Sequence, residues 1–494
     1  MGIIVNQSVK GTIYTYIGVV LGFVTTGILL PRIYSTDQVG LTKIIVAYAA
    51  LVSQFGTLGF NGIAIRLFPF FKDPKSNHHG FLSLALITGF IGFLITFGLF
   101  LIFKNWFIEF SSEKSALLIE YLNYLIVLVF FQIFFILFDG YYTALLNSIY
   151  GTFLREVFQR ILIIIGIGLF YFELIDFRQF IIFYIVSMSV PTLFILLALI
   201  KEKQFSLKSD FAFLKKPLLT SMGLMALFSI LNGFSVIIIQ TVDTIMVNGM
   251  IGLSATGVYS ICFFFGIFVS LPARAILKIA NIVSAGAWKN NDLAAIRNIY
   301  EKSCMTLFII GLLMFLGIWA NIDNIFEILG PDYVSGKWVI FFIGLGSLID
   351  MSTGANSSIL GSSPYYKIQT GFLIILVISL IITNLILIPI YGITGAAIGG
   401  ALSLSILNLL RYLYLWYKFN LQPFNLKFVL VAAIGIVAYF ISSLLPVLPN
   451  LIADILVRSS ILTILFCLPV YLLKISPDIN EKADEILKAI KVIS

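Results

Sequence analysis

Four charged residues sit inside long apolar runs, where an uncompensated charge costs about 2.5–3.5 kcal/mol by insertion measurements, so each must be paired, hydrated or neutralised. Lys43 lies one turn below the outer end of the second run, and Asp243 about one turn below the outer end of the seventh. If the two halves of the chain meet there, the two can pair as an outer gate; otherwise each snorkels or hydrogen-bonds locally. Asp350 stands roughly 20 Å into the tenth run by helix rise, near mid-membrane. Asp139 is close to the inner end of the fourth, beside Gly140. A carboxylate so placed is a proton or sodium site, the counter-charge of a basic residue in a cavity, or a protonated structural group. Arg66 ends the second run on the inner side, and Arg274 with Lys278 ends the eighth. Arg274 and Lys278 are four apart and share one helix face, and Pro272 just before them can bend the helix. The competing reading of these three is ordinary contact with anionic lipid, about 1 kcal/mol each.

Other polar residues read more plainly. Glu120, Arg155, Arg160, Lys367 and Arg411 near run ends read as topology and lipid contacts. His78-His79 falls in a basic inner loop and reads as a solvated pair rather than a metal site. Cys262, Cys304 and Cys467 are far apart, with no CxxC, so neither a disulfide framework nor a metal centre is expected. Tyr14, Tyr16 and Asn232 are guesses for polar cavity contacts. No GxxxxGK[ST] occurs, and no Asp-x-Asp pair, so nucleotide-driven transport and polymerase or ligase chemistry find no motif here.

The elements that position these residues are apolar helices. Runs near 11–31, 39–65, 81–103, 117–146, 152–172, 179–200, 217–247, 255–284, 301–320, 337–360, 365–389, 393–417, 427–446 and 452–474 are each long enough to cross a bilayer. Lys and Arg orient them: with the N-terminus inside, 24 fall on inner segments, six on outer ones, and Lys43 within a helix. That asymmetry places both termini on the cytoplasmic side. The five tryptophans (Trp106, Trp288, Trp319, Trp338, Trp416) fall at run ends, where interfacial anchoring puts them. Asp292–Lys302 and Asp478–Lys491 read as amphipathic helices on the inner leaflet, the second opened by the Asp478/Glu481 pair.

Composition agrees. Of 494 residues, 60% are hydrophobic and 11% charged, with mean hydropathy +1.06; soluble domains carry about 25% charge. Fourteen spans consume about 280 residues, leaving no room for an ATPase module, a glycosyltransferase domain or a large external domain. The net charge of +8 suits basic cytoplasmic loops and does not argue for nucleic acid.

The runs fall into an N-lobe (1–200, helices 1–6), a basic linker (201–216), a C-lobe (217–418, helices 7–12), helices 13–14 (419–474) and a cytoplasmic tail (475–494). Thr26-Gly27-Ile28-Leu29-Leu30 with Val39-Gly40 aligns without a gap on Asp243-Thr244-Ile245-Met246-Val247 with Thr256-Gly257. Gly140 and Leu145-Leu146 align on Gly354 and Ile359-Leu360 at a nearly equal offset. Six helices per repeat keep one orientation, so the expected fold is an all-α polytopic membrane protein: fourteen transmembrane helices as two six-helix lobes in a parallel pseudo-repeat, plus a C-terminal pair.

The order Leu30-Pro31-Arg32-Ile33-Tyr34 with Val39-Gly40, Gly59-Phe60-Asn61 with Ile65-Arg66, Val242-Asp243-Thr244-Ile245-Met246-Val247 with Gly257-Val258-Tyr259-Ser260, and Ile388-Pro389-Ile390-Tyr391-Gly392-Ile393-Thr394-Gly395 resembles the bacterial O-antigen and exopolysaccharide flippases of the multidrug/oligosaccharidyl-lipid/polysaccharide superfamily. The resemblance implies two lobes around a central cavity, alternating access, no enzymatic step, and an undecaprenyl-diphosphate-linked oligosaccharide moved to the outer leaflet of a bacterial cytoplasmic (inner) membrane. It makes Arg274, Lys278 and Arg66 the diphosphate-binding candidates, because a guanidinium offers parallel donors to phosphate oxygens. It implies no cofactor beyond H+ or Na+ coupling, with Asp350 and Asp139 as candidates, and polysaccharide polymerase or export machinery as partners. The first helix, Gly11–Leu30, holds no acid, unlike many multidrug relatives. Arg32 lies only at that helix's outer end, unlike peptidoglycan-precursor flippases with arginine inside the cavity. The alternatives are a multidrug or organic-cation antiporter and a polytopic polymerase or ligase.

Overall fold

A computed structural model describes residues 2–111, 115–145 and 147–493. Lys114 and Leu146 lie outside the described residues, as do the side chains of Trp106 and Lys491. Among the described residues the regular structure is all helix, without strands, as lipid demands of a chain with no water to satisfy its backbone. Among the described residues thirteen helices are long and apolar enough to span a membrane. The expected fourteenth falls on the continuous helical stretch 149–171, which carries Arg155, Glu156 and Arg160 within two turns.

By packing, the chain divides into two compact units, Met1–Ser260 and Ile261–Ser494. The first holds α1 (Lys10–Ile33), α2 (Thr36–Gly56), α3 (Phe60–Phe71), α4 (Phe81–Ser111), α5 (Ala116–Ala144), α6 (149–171), α7 (Phe177–Lys201) and α8 (Lys216–Met250). Next, α9 (Leu253–Ile267) ends in a 3-10 turn, Phe268–Ser270. The second unit continues with α10 (Ala273–Lys289), α11 (Leu293–Ala320), α12 (Ile322–Leu329), α13 (Lys337–Ser352) and α14 (Asn356–Ser362). It closes with α15 (Tyr366–Tyr391), α16 (Ile393–Phe419), α17 (Leu426–Ser443), α18 (Leu451–Leu472) and α19 (Pro477–Ile493).

Several expected helices are broken, each for a visible reason. The run 39–65 splits into α2 and α3 at Leu58 (φ 47°) and Gly59 (φ 74°). A Cβ on Gly59 would stand 2.2 Å from the Ala226 carbonyl oxygen of α8, so only glycine permits this approach. The run 337–360 splits into α13 and α14 at Gly354 (φ 60°), where a Cβ would meet the Cys304 backbone nitrogen at 2.6 Å. The run 255–284 breaks next to Pro272, as expected. The segment Asp292–Lys302 is no separate surface helix: it forms the first turns of α11, capped by Asp292.

The repeat leaves a physical signature. A Cβ on Gly40 would meet the Leu253 carbonyl oxygen at 2.1 Å, and one on Gly257 would meet the Thr36 carbonyl oxygen at 2.0 Å. Thr36 and Gly40 occupy the places of Leu253 and Gly257 in the repeat, so the contact is reciprocal, as two like segments crossing about a two-fold require. Thr36 Oγ1 and Ser254 Oγ close it at 2.7 Å. The second alignment does not carry over: Gly140 is interior to α5, whereas Gly354 sits at a break.

Candidate functional site: a polar cavity in the first unit

The first unit contains an open cavity of about 560 Å³ whose walls come from α1, α2, α3, α5, α6, α7 and α8. Its charged lining is Arg155, Arg160, Asp139 and Glu156; its amide lining is Gln54, Asn61, Gln132, Gln159 and Gln240. Such a set among apolar helices is affordable only if the space is wet or filled by a polar ligand.

Two π-helical segments bring side chains to this space. In α1 the segment Phe23–Leu29 supplies Thr25 and Thr26, and in α6 the segment Leu154–Phe158 supplies Arg155 and Glu156. A π turn inserts a residue into the helical ladder and shifts which side chains face a neighbour, and such turns recur at functional sites. Gly151, a turn before Arg155, lets α5 close on α6: a Cβ there would fall 1.8 Å from Asp139 Oδ1.

The groups differ in how far they are satisfied. Arg160 Nη2 donates to Glu156 Oε2 at 2.9 Å. Arg155 is exposed to the cavity and has no hydrogen-bond partner among the described residues; its guanidinium carbon lies 4.5 Å from the Phe135 ring centroid. Asp139 Oδ1 also has no partner. Half-buried Lys43 donates to Thr26 Oγ1 at 3.2 Å. Ser53 donates to Gln132 across the α2–α5 wall at 3.2 Å. On another face of α2, a cavity of about 440 Å³ is lined by Tyr48, Leu51, Phe55, Phe100 and other apolar groups, with Lys104 as its charged residue.

Set against the sequence expectations, the cavity gathers other residues. Asp243 accepts from Tyr259 OH at 2.9 Å while Lys43 is held by Thr26, so the two carry different partners and do not form the expected gate pair here. Arg66 is exposed on α3, with Met225 Sδ at 3.9 Å as a weak contact. Arg274 and Lys278 are exposed on α10 in the second unit, sharing a face as expected. None of these three lines the cavity. Arg155 and Arg160, read as topology residues, do line it. Tyr14 packs on Phe153, Tyr16 is 47% exposed, and Asn232 bonds back to Phe228; none of the three lines it either. The missed signal was present: three charges within six residues of an apolar run exceed what positive-inside topology needs.

In the second unit Asp350 belongs to a closed network. Asn408 Nδ2 donates to Asp350 Oδ1 at 2.8 Å, and Asn408 Oδ1 accepts from Thr353 at 3.1 Å and Asn356 at 3.0 Å. Buried Arg411, expected at a helix end, donates to Gln369 at 3.1 Å and reaches Asn408 Oδ1 at 3.5 Å. Asp350 therefore has Arg411 as an interior counter-charge. Arg458, expected on an outer segment, is buried in a two-point pair with Asp454, both contacts at 3.1 Å.

The histidines are not solvated either. His78 is buried and bonds Gln204 at 3.2 Å; His79 stacks on Phe213 and bonds Asp210 Oδ2 at 3.0 Å. They fasten the basic linker to the turn between α3 and α4. No cluster able to hold a metal ion occurs among the described residues.

The family pattern described as polysaccharide biosynthesis protein matches residues 8–271, more than half of the chain. The chain belongs to that family. Its fold is shared with solved structures. Lipid II flippase MurJ in an inward closed conformation superposes with a TM-score of 0.76, at 15% identity, over 94% of this chain and 98% of that one. An inward-facing multidrug resistance MATE transporter gives 0.64, at 15% identity, over 81% and 94%. A transporter of the same superfamily from Pyrococcus furiosus, described as having reversed pocket polarity, gives 0.56, at 16% identity, over 84% and 95%. Among proteins of curated function none matches the sequence. This polysaccharide biosynthesis family member is thus a multi-pass membrane protein with the fold of flippases and multidrug transporters.

Proposed function

We propose that the protein flips a lipid-linked oligosaccharide, an undecaprenyl-diphosphate-linked polysaccharide repeat unit, from the cytoplasmic to the outer leaflet by alternating access. One observation carries the reading: Arg155, a guanidinium with no hydrogen-bond partner among the described residues, faces a cavity lined by five amides. A guanidinium suits a diphosphate, and carboxamides offer both donors and acceptors to sugar hydroxyls. The polysaccharide biosynthesis family supports the same cargo class, and the MurJ structure is of a flippase.

Arg155 and Arg160 become the principal diphosphate donors in this reading. Arg66, Arg274 and Lys278 serve as capture groups on exposed faces, and Asp139, with its unpartnered oxygen, is the better placed of the two acids to exchange H+ or Na+. An inside-negative potential assists outward movement of an anion by about 2.3 kcal/mol per charge per 100 mV. The chain would work in a bacterial inner membrane beside polysaccharide polymerase and export machinery. The multidrug reading shares the fold, but an organic cation would meet uncommitted Arg155 head-on.

The test is flipping of labelled prenyl-diphosphate oligosaccharide in proteoliposomes at a set potential. Wild type should accelerate it, and Arg155→Ala should slow it at least about tenfold, the cost of one charge-assisted contact. Absence of acceleration by the wild type ends the reading.

A further inference from the structure

The chain contains two pairs in which an acid precedes an arginine by four residues on one helix, and they are built differently. Asp454 and Arg458 touch through two contacts, are 3% and 9% exposed at the side chain, and are fixed further by Asn324, the Leu448 N–H and the Ser442 carbonyl. Glu156 and Arg160 touch through one contact and are each about a third exposed, toward the cavity. Behind them α1 presents Gly18 and Gly22, one turn apart. A Cβ on Gly18 would stand 2.5 Å from Glu156 Oε2, and one on Gly22 would stand 1.9 Å from Arg160 Nη1. The pair is thus seated on bare backbone on one side and open to the cavity on the other.

We propose that Glu156 is a built-in counter-anion: its carboxylate occupies Arg160 while the cavity is empty, and the diphosphate of the cargo displaces it. This rests on the cargo reading above. An empty carrier must keep its arginines in a low-dielectric interior without a ligand, which is costly unless an anion travels with them. The cavity meets that need with its own acids, Glu156 for Arg160 and Asp139 near Arg155. Charged groups facing the pair are Arg155 on its own helix, Asp139 from α5 and Lys43 from α2; Tyr184 comes from α7. Arriving diphosphate exchanges one anion for another at Arg160 instead of adding charge to a bare site. The carboxylate then competes for the arginine and speeds release on the far side. Glu156 accordingly sets affinity and turnover in opposite directions.

The experiment measures binding of farnesyl diphosphate, with farnesol as the uncharged control, and flipping of labelled prenyl-diphosphate oligosaccharide in proteoliposomes. Glu156→Gln should bind farnesyl diphosphate about fivefold tighter and lower the half-saturating cargo concentration, while reducing the maximal flipping rate by a similar factor, the scale of one charge competitor lost from a wet site. Glu156→Asp, which keeps the carboxylate, should return both quantities toward wild type; a merely structural glutamate would not separate affinity from rate. Unchanged or weaker binding by Glu156→Gln, with wild type binding in an Arg155-dependent manner, overturns the counter-anion role and leaves the cargo reading standing. Wild type that binds farnesyl diphosphate no better than farnesol overturns both.

Discussion

The polar cavity of the first unit and the Asp350–Asn408–Arg411 network of the second use the same side-chain chemistry to opposite ends. In the second unit Asn408 relays between acid and base, Thr353, Asn356 and Gln369 bond the same residues, and the arginine is 6% exposed. In the first unit the arginines reach into 560 Å³ of space, one holds a single carboxylate contact, and an acid oxygen has no partner. A finished network fixes helices; an unfinished one waits for a ligand. Counting intramembrane charges therefore does not find a site. What distinguishes a site is how many of those charges the fold leaves unspent.

Three perturbations sharpen this contrast. The largest stability effect is expected from Asn408→Leu, which takes the 2.8 Å donor from Asp350 and the acceptor from Thr353 and Asn356 and should cost about 1–3 kcal/mol, read as a fall in melting temperature in detergent. If it leaves stability unchanged, the second-unit network is no pin. Arg155→Ala should move stability by less than about 1 kcal/mol, because no hydrogen bond is lost, while flipping collapses; a comparable melting loss in this variant would erase the distinction between the two regions. The smallest effect concerns the linker. The hydrogen bond from His79 holds the Asp210 carboxyl below its usual range, helped by the Phe213 N–H. Its contribution is thus present above the ordinary carboxylate pKa of about 3.9 and lost as pH falls through the lowered value. Asp210→Asn should speed proteolysis of the linker at neutral pH, whereas wild type should loosen only on acidification below that range.

Much of the fold was legible because membrane insertion writes itself into composition: apolar runs of spanning length, basic segments between them, and a repeat visible in Val39-Gly40 and Thr256-Gly257. The site was less so. Arg155 and Arg160 looked like inner-end topology residues because distance from a loop does not say which face of a helix a side chain takes, and the π segment of α6 changes that face. The breaks at Gly59 and Gly354 were hidden inside unbroken apolar runs, since their cause is a neighbouring backbone that local sequence does not contain. Lys43 and Asp243 stand out in the sequence as charges inside apolar runs, but which partner each takes depends on Thr26 and Tyr259, on other turns or helices.

By itself, then, the sequence determined that this chain must cross a bilayer many times as helices, because nothing else satisfies so apolar a backbone, and that a few charges inside it needed an explanation. Only tertiary structure decided which charges were consumed and which were left facing space. That choice depends on distances of a few ångströms between helices far apart in the chain, set by glycine contacts and π turns, and no periodicity along one strand of text encodes them.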